Sequence, residues 1–471
     1  MLGTLAEGRL SLTELHRFPN EPVWVGEALY WDALRLFHEI RRGLAAAGRE
    51  RRLTLDGVAV DTWGVDFALL DESGALIDNP RHYRDARTSG IPERLFRTLP
   101  REQIHRRTGV QFMQINTLYQ LHAMLGTPAL ERAGTLLMMP DLFHYWLTGV
   151  IRGEVTIAST TQFFDPRARC WAGDLLEGAG IPPAILPELV EPGTLLAPLR
   201  DEVARAAGLD PAPVFATGCH DTASAVAAVP AQGDGWCYIS SGTWSLMGVE
   251  TAEPVIDERS LAMGLTNEAG VAGRTRLLRN IAGLWLLQEC RRAWVLEGHE
   301  WTYADLTRAA AAAPPFVAVL DPDAFLAPGG MPDQIAAFCA RTGQPAPQDE
   351  ASIARTILES LALRYRQVLE MLESLLGRRL EPIHIVGGGS RNTLLNEFVA
   401  GATGRAVMAG PAEATAAGNV LVQAMGAGAV DSIEEIRAIV RRSFDAVTVE
   451  PEPSAAWDDA YARFLRIQGA S

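Results

Sequence analysis

Apolar and polar positions change period repeatedly along this chain, and each change marks an element. GVAVDTWGVDFALL (57–70) carries an apolar run on either side of Asp61-Thr62-Trp63-Gly64, which predicts two strands around a turn. LLMMPDLFHYWLTG (136–149) predicts a helix that stops at Gly149. Residues 190–213, rich in proline and polar groups, predict a connecting excursion. PVFATGCHDTASAVAAV (213–229) reads as strand, glycine turn and helix, and PAQGDG (230–235) as a break. That break is the expected domain boundary, dividing the chain into 1–229 and 230–471.

The second half restarts with the strand WCYIS (236–240) and the turn Ser241-Gly242-Thr243. Residues 351–376 give the clearest helical stripe, Ile353, Ile357 and Leu361, continued by Val368, Leu372 and Leu375 and stopped at Gly377. EPIHIVGGGSRNTLLNEFVAGATG (381–404) reads as strand, triple glycine and helix. Strands alternate with helices in both halves, so the expected class is α/β with two related lobes.

Composition narrows the chemistry. At 471 residues, 48% of them apolar, the chain exceeds a single ordinary core. No apolar run approaches the ~20 residues that cross a bilayer, and MLGTLAEGRL lacks the basic and apolar regions of a secretory signal. Cysteines 170, 219, 237, 290 and 339 are odd in number and form no CxxC pair. That usage speaks against a disulfide framework or a zinc site and fits a reducing cytoplasm. The net charge of −15 argues against nucleic-acid binding, although one nucleotide needs only a local pocket.

The chain contains no lysine; all 42 basic residues are arginine. A GC-rich coding sequence would account for the replacement. Its chemical consequence is independent of its cause, because arginine replaces neither a Schiff-base amine nor a P-loop or protein-kinase lysine. A phosphoryl-transfer site here must rely on magnesium, backbone amides and hydroxyls.

Several segments fit such chemistry, each with a plainer reading beside it. Gly387-Gly388-Gly389 joins a strand to a helix, where backbone meets an anion closely or simply turns, with Ser390 and Asn392 as helix caps. Ser240-Ser241-Gly242-Thr243 offers amides and hydroxyls to phosphate oxygens, or is an ordinary turn. In Gly218-Cys219-His220-Asp221-Thr222, Asp221 stands ready to take a proton from a substrate hydroxyl, or caps the helix beginning at Thr222. Trp63, with Asp61 and Asp66 around it, suits either a sugar face or the core. RNIAGLWLLQ reads as a helix that places Asn280 and Gln288 on one face, which the pattern alone turns toward solvent.

Taken together, TWGVDF (62–67), YRDART (83–88), HDTASAV (220–226), SSGTWSLMG (240–248), NIAGLWLLQ (280–288) and HIVGGGSRNTLLN (384–396) resemble the FGGY family of carbohydrate kinases, with similarity along nearly the whole chain. The resemblance implies two actin-like, ribonuclease-H-like lobes with a cleft between them: a sugar-binding lobe (1–229), then a nucleotide-binding lobe with a C-terminal helical tail (230–471). Within the family it is nearest to members acting on L-rhamnulose, which implies transfer of phosphate from Mg-ATP to the sugar's 1-hydroxyl. It assigns Asp221 as the base and Gly64, His220, Asp221, Thr222 and Asn280 to the sugar. It assigns Thr243, Gln288 and Gly388 to ATP. Mg²⁺ is the implied cofactor, sugar and ATP are the partners, and a monomer or small homo-oligomer in the cytoplasm is expected, with no nucleic acid and no membrane.

One departure stands out. Family members open with a strand and an Asp-Gly…Ser…Arg loop that binds ATP phosphates, its aspartate helping to hold magnesium. Here Met1-Leu2-Gly3-Thr4 aligns with the strand after that loop. A strand and a turn, about 15–20 residues at ordinary element lengths, are therefore expected upstream of Met1. Two further readings stay open: a kinase for another ketose or polyol, and a catalytically impaired ligand-binding remnant of the fold.

Overall fold

The computed structural model describes residues 1–452 and 454–468. The chain divides into two compact units, neither of them continuous in sequence. Unit 1 comprises Met1–Pro230, Glu250–Leu277 and Ala414–Ser443; unit 2 comprises Ala231–Val249, Leu278–Glu413 and Phe444–Ser471. Among the described residues no helix is long and apolar enough to cross a membrane.

In unit 1 short strands pair two by two: Leu2–Ala6 with Arg9–Thr13, Phe67–Leu70 with Thr135–Met138, and Thr194–Pro198 with Pro213–Ala216, all antiparallel. The apolar faces of the second and third pairs close on a core that includes Leu95, Ile104, Leu118, Tyr119 and Phe163. The helices Asp221–Ala227 and Ala414–Gly426 pack so closely that a Cβ at Gly418 would lie 1.8 Å from Ser224 O. Only glycine fits there, and the contact brings Asn419 beside the 213–227 segment, where Thr217 Oγ1 donates to Asn419 O at 3.1 Å.

Unit 2 is built on a mixed sheet in the order Thr275–Ala282, Trp244–Thr251, Cys237–Ser241, Ile383–Val386, Val407–Ala409 and Val447–Val449. Cys237–Ser241 is antiparallel to Trp244–Thr251 and parallel to Ile383–Val386. The helix Glu350–Leu376 starts at Asp349, whose side chain accepts from Ser352 N, and ends at Gly377 in the left-handed region. Ile353, Ile357, Leu361, Val368 and Leu372 lie buried along it, the stripe that the 3.6-residue period predicts.

Four predicted elements differ. Residues 136–149 split into the strand Thr135–Met138 and the helix Met139–Thr148, because Pro140 is favoured at a helix start and the continuous apolar run conceals the change of period. The predicted excursion at 190–213 contains the strand Thr194–Pro198 and the helix Asp201–Ala207. RNIAGLWLLQ is not one helix: Asn280 lies on the strand Thr275–Ala282 and Gln288 on the helix Trp285–Leu296. Gly283 breaks the segment, since a Cβ there would lie 2.5 Å from Ser245 Oγ. The run at 57–62 forms isolated parallel bridges, Val58 to Val214 and Thr62 to His220, in place of a full strand.

Candidate active site

In unit 1 the bridge between Thr62 and His220 sets the candidate residues side by side. Thr62 N donates to Cys219 O at 2.9 Å, and Asp221 N donates to Thr62 O at 2.8 Å. His220, with backbone φ −75 and ψ 120, is the N-cap of the helix Asp221–Ala227 and makes no side-chain cap bond. Asp221 is the first helical residue, so the capping reading of its carboxylate is not what the structure shows. That side chain is 44% exposed and accepts from Thr222 Oγ1 at 3.2 Å. His220 Nε2 lies 3.5 Å from Asp221 Oδ1.

Asp61 is partly buried and accepts from Asn419 Nδ2 at 2.5 Å. Burial pushes its carboxyl up to about 7; the Asn419 amide opposes the rise and the Asp221 charge adds to it. Glu154, also buried, accepts from Thr156 N, Ile157 N and Cys219 N, and burial raises it to about 7. Thr156 Oγ1 in turn accepts from His220 N at 3.1 Å.

Gly64 lies in a tight turn, where a Cβ would meet Thr160 Cγ2 at 3.0 Å. The next residue, Val65, has φ 65, a strained conformation for a β-branched side chain. Its N–H donates to Thr160 Oγ1 at 3.0 Å, and its carbonyl accepts from Thr117 Oγ1 at 2.7 Å and Gln120 Nε2 at 3.2 Å. Both backbone groups are thus held, which keeps the strained turn in place.

Trp63 belongs to an aromatic wall. Ring centroids are 4.2 Å apart for Trp31 and Trp63, 4.3 Å for Trp31 and His82, and 4.5 Å for His82 and Tyr83. Both indole N–H groups donate to Asp66 Oδ2, at 2.6 and 2.9 Å, while Gln120 Nε2 donates to Oδ1. Burial raises Asp66 to about 6 despite these donors. Trp63 itself is only partly buried.

Asp141, His144 and Cys219 are buried and place one ligand atom each within 4.8 Å of the others, a grouping that cysteine spacing cannot reveal. Asp141 Oδ1 accepts from Glu154 N at 3.2 Å, and His144 Nε2 accepts from Val60 N at 3.0 Å, so both side chains already tie the local fold together.

Unit 2 holds Thr243, Gln288, Gly388 and Asn280. Thr243 Oγ1 donates to Gln288 Oε1 at 3.1 Å, and the turn before it accepts Leu284 N at Gly242 O and Trp285 N at Thr243 O. The strand turn is thereby fastened to the start of the helix Trp285–Leu296. The three glycines differ. Gly387 has φ 83, and a Cβ at Gly389 would lie 2.0 Å from Ser241 Oγ, so both are needed for packing against Ser241. A Cβ at Gly388 would meet nothing within 4 Å, which leaves that position open. Asn392 is the expected helix cap, its Oδ1 accepting from Leu395 N at 3.0 Å; Ser390 is not, since its hydroxyl donates to Gly387 O. Asn280 and Gln288 are partly buried and do not share a helix face or turn fully to solvent.

Residues 24–228 match the N-terminal domain, and residues 237–427 the C-terminal domain, of the FGGY family of carbohydrate kinases. The chain is 44% identical over 468 residues to the rhamnulokinase of Bacteroides thetaiotaomicron, covering 98% of this chain and 96% of that protein. It is 39% identical over 474 residues to the rhamnulokinase of Pectobacterium carotovorum subsp. carotovorum, covering 99% and 93%. Its fold is similar to ligand-bound xylulose kinase from Lactobacillus acidophilus, with TM-score 0.78 at 15% identity and coverage of 98% and 94%. It is similar also to Plasmodium falciparum glycerol kinase with ADP, with TM-score 0.75 at 14% identity and coverage of 96% and 92%. The architecture is thus the two-domain α/β fold of sugar kinases, and the chain belongs to the FGGY family of carbohydrate kinases.

Proposed function

We propose that the chain is an ATP-dependent kinase that phosphorylates L-rhamnulose at its 1-hydroxyl. The rhamnulokinases matched along nearly the full chain support the substrate. The observation that carries the chemistry is the setting of Asp221: a half-exposed carboxylate at a helix start, free of any capping bond, beside a buried histidine. In this reading Asp221 takes the sugar hydroxyl's proton as the oxygen attacks the γ-phosphorus and ADP leaves. Gly64, His220, Thr222 and Asn280 contact the sugar, with Trp63 as an apolar wall. Thr243, Gln288 and the open position at Gly388 contact ATP. We place the sugar residues of the base cluster in a lobe spanning 1–229 and the nucleotide residues in 230–471.

Mg²⁺ fits the donors present. Asp61 and Asp221 are hard oxygen ligands close enough for one charge to raise the other's pKa, a repulsion that a divalent cation relieves. Asp61 and Asp221 would hold the ion, which bound with the nucleotide would neutralise charge on the phosphates. We take the enzyme to be cytoplasmic, a monomer or small homo-oligomer, with no nucleic-acid partner at a net charge of −15.

The test is ADP release with Mg-ATP and L-rhamnulose, L-fuculose or L-xylulose. At least tenfold higher kcat/KM on L-rhamnulose is expected, roughly the discrimination that a few side-chain contacts supply. A smaller preference favours a kinase for another ketose, and no turnover on any sugar overturns the reading.

A further inference from the structure

The segment YRDART holds a charge that the proposed reaction leaves unused. Arg87, on the single turn Ala86–Thr88, has a side chain only 16% exposed, with Nη1 3.6 Å from Asp85 Oδ1. A charge withdrawn from water is costly unless its donors are hydrogen-bonded. The partner that Arg87 reaches is Gln120, completely buried on the helix Thr117–His122, whose Oε1 accepts from Nη2 at 2.6 Å.

The two ends of an amide have the same shape, so neighbours decide which way it points. Here they leave one choice. A guanidinium only donates, so Oε1 must face Arg87. Nε2 then faces acceptors alone: Ile115 O at 2.8 Å, Asp66 Oδ1 at 3.1 Å and Val65 O at 3.2 Å. Reversed, the amide would press its oxygen against two backbone carbonyls and leave each without this donor.

Gln120 thereby joins two parts of the site in unit 1. Thr117, one turn earlier on the same face of the helix, also donates to Val65 O, at 2.7 Å. Together they hold the turn at Gly64, which passes through φ 65 at Val65. Such a conformation at a β-branched residue persists only where its surroundings over-determine it. Through Asp66 the same amide reaches a carboxyl group whose other oxygen accepts the indole N–H of Trp31 at 2.6 Å and of Trp63 at 2.9 Å. One side chain braces the turn and the aromatic wall at once.

We infer that Arg87 and Gln120 are positioning residues for the sugar: Arg87 fixes the direction of the Gln120 amide, and that amide holds the Gly64–Val65 turn and the Trp63 indole in the geometry the sugar meets. The inference rests on the proposed assignment of Gly64 and Trp63 to the sugar. Neither Arg87 nor Gln120 acts on the reacting atoms, so the loss of either is read in sugar affinity and not in the rate of transfer.

Arg87→Met and Gln120→Met cut the brace at opposite ends while keeping most of the side-chain volume. In both, KM for the sugar is expected to rise about tenfold, the scale of a small misplacement of binding groups, with kcat and KM for ATP within about twofold of wild type. A sugar KM that stays within twofold, or a fall in kcat with both KM values unchanged, overturns the inference. A second measurement needs no turnover. The Val65 N–H, which donates to Thr160 Oγ1, is expected to exchange about a hundredfold slower in the ligand-free wild type than in an unfolded peptide. Both variants should lose about tenfold of that protection, while amides of the helix Asp221–Ala227 keep theirs. Equal protection in variant and wild type, or an equal loss at Val65 and along that helix, overturns the inference whatever the activity. If neither variant folds, the wild type decides alone: a slowly exchanging Val65 supports the brace, and exchange at the unfolded rate overturns it. A wild type inactive on every sugar counts against the proposed function, and the exchange of Val65 still decides the role of Arg87 and Gln120.

Discussion

The candidate residues of the two units are made of different material. In unit 1, beside Gly64, Trp63 and Thr222, several candidate residues are ionisable side chains set among other buried ionisable groups: Asp221 near Asp61, His220 near Glu268 and Arg276, Cys219 near Glu154. In unit 2 they are a hydroxyl, two amides and a glycine, none of which titrates: Thr243 bonded to Gln288, Asn280 on the strand Thr275–Ala282, and Gly388 with open space beside it. In the proposed reading the residues assigned to the sugar are therefore expected to respond to charge and pH, and those assigned to the nucleotide to backbone space. That division agrees with the lack of lysine, since nothing on the nucleotide side calls for a side-chain cation.

The largest expected effect sharpens this contrast. Asp221→Asn should lower kcat by about 10²–10⁴-fold, the range for loss of a general base, and leave ATP affinity by calorimetry within about threefold. Wild-type kcat in that variant would make Asp221 a bystander. Next is a pair of substitutions inside one loop. Gly389→Ala forces a Cβ against Ser241 Oγ and should cost about 1–3 kcal/mol of stability in denaturant unfolding. Gly388→Ala meets no protein atom, so stability should hold while KM for ATP rises; equal stability losses in the two would refute the distinction between them.

Trp63→Ala should raise the sugar KM by roughly three- to tenfold, as for loss of an aromatic contact, and barely move that of ATP. The reverse order would assign Trp63 to packing or to the nucleotide. The smallest effect is a pH slope. Asp61 titrates at about 7 in the folded chain against a reference of 3.8, so between those values the folded state holds a proton that the unfolded state has released. Stability is therefore lost as pH rises through that window. Tm of the ligand-free protein should fall less steeply from pH 4.5 to 7 in Asp61→Asn than in wild type.

Legibility in the sequence follows the locality of each signal. The strand–turn–helix units at 213–229 and 381–404, and the helix ending at Gly377, are legible because glycines, caps and a steady apolar period lie within a few residues of one another. RNIAGLWLLQ misleads because its glycine is forced by Ser245, a contact from a different strand. Asp221, Thr243 and Gln288 stand out through motif resemblance, since each alone has an ordinary explanation. Arg276 and Asn419 carry no local sign at all: one reaches His220 across 56 positions, the other Asp61 across 358.

That last separation has a consequence for how the protein is made. At about 5–20 residues per second, a ribosome needs roughly 20–70 s to travel from Asp61 to the asparagine that holds it. Through that interval the helix bearing Asp221 lacks the glycine-notched partner, Ala414–Gly426, that covers it in the finished molecule. Unit 1 is therefore begun first but finished near the end of synthesis, after nearly all of unit 2 has emerged. A nascent chain halted after residue 227 and before residue 414 carries an uncovered helix face, a surface for chaperones to shield.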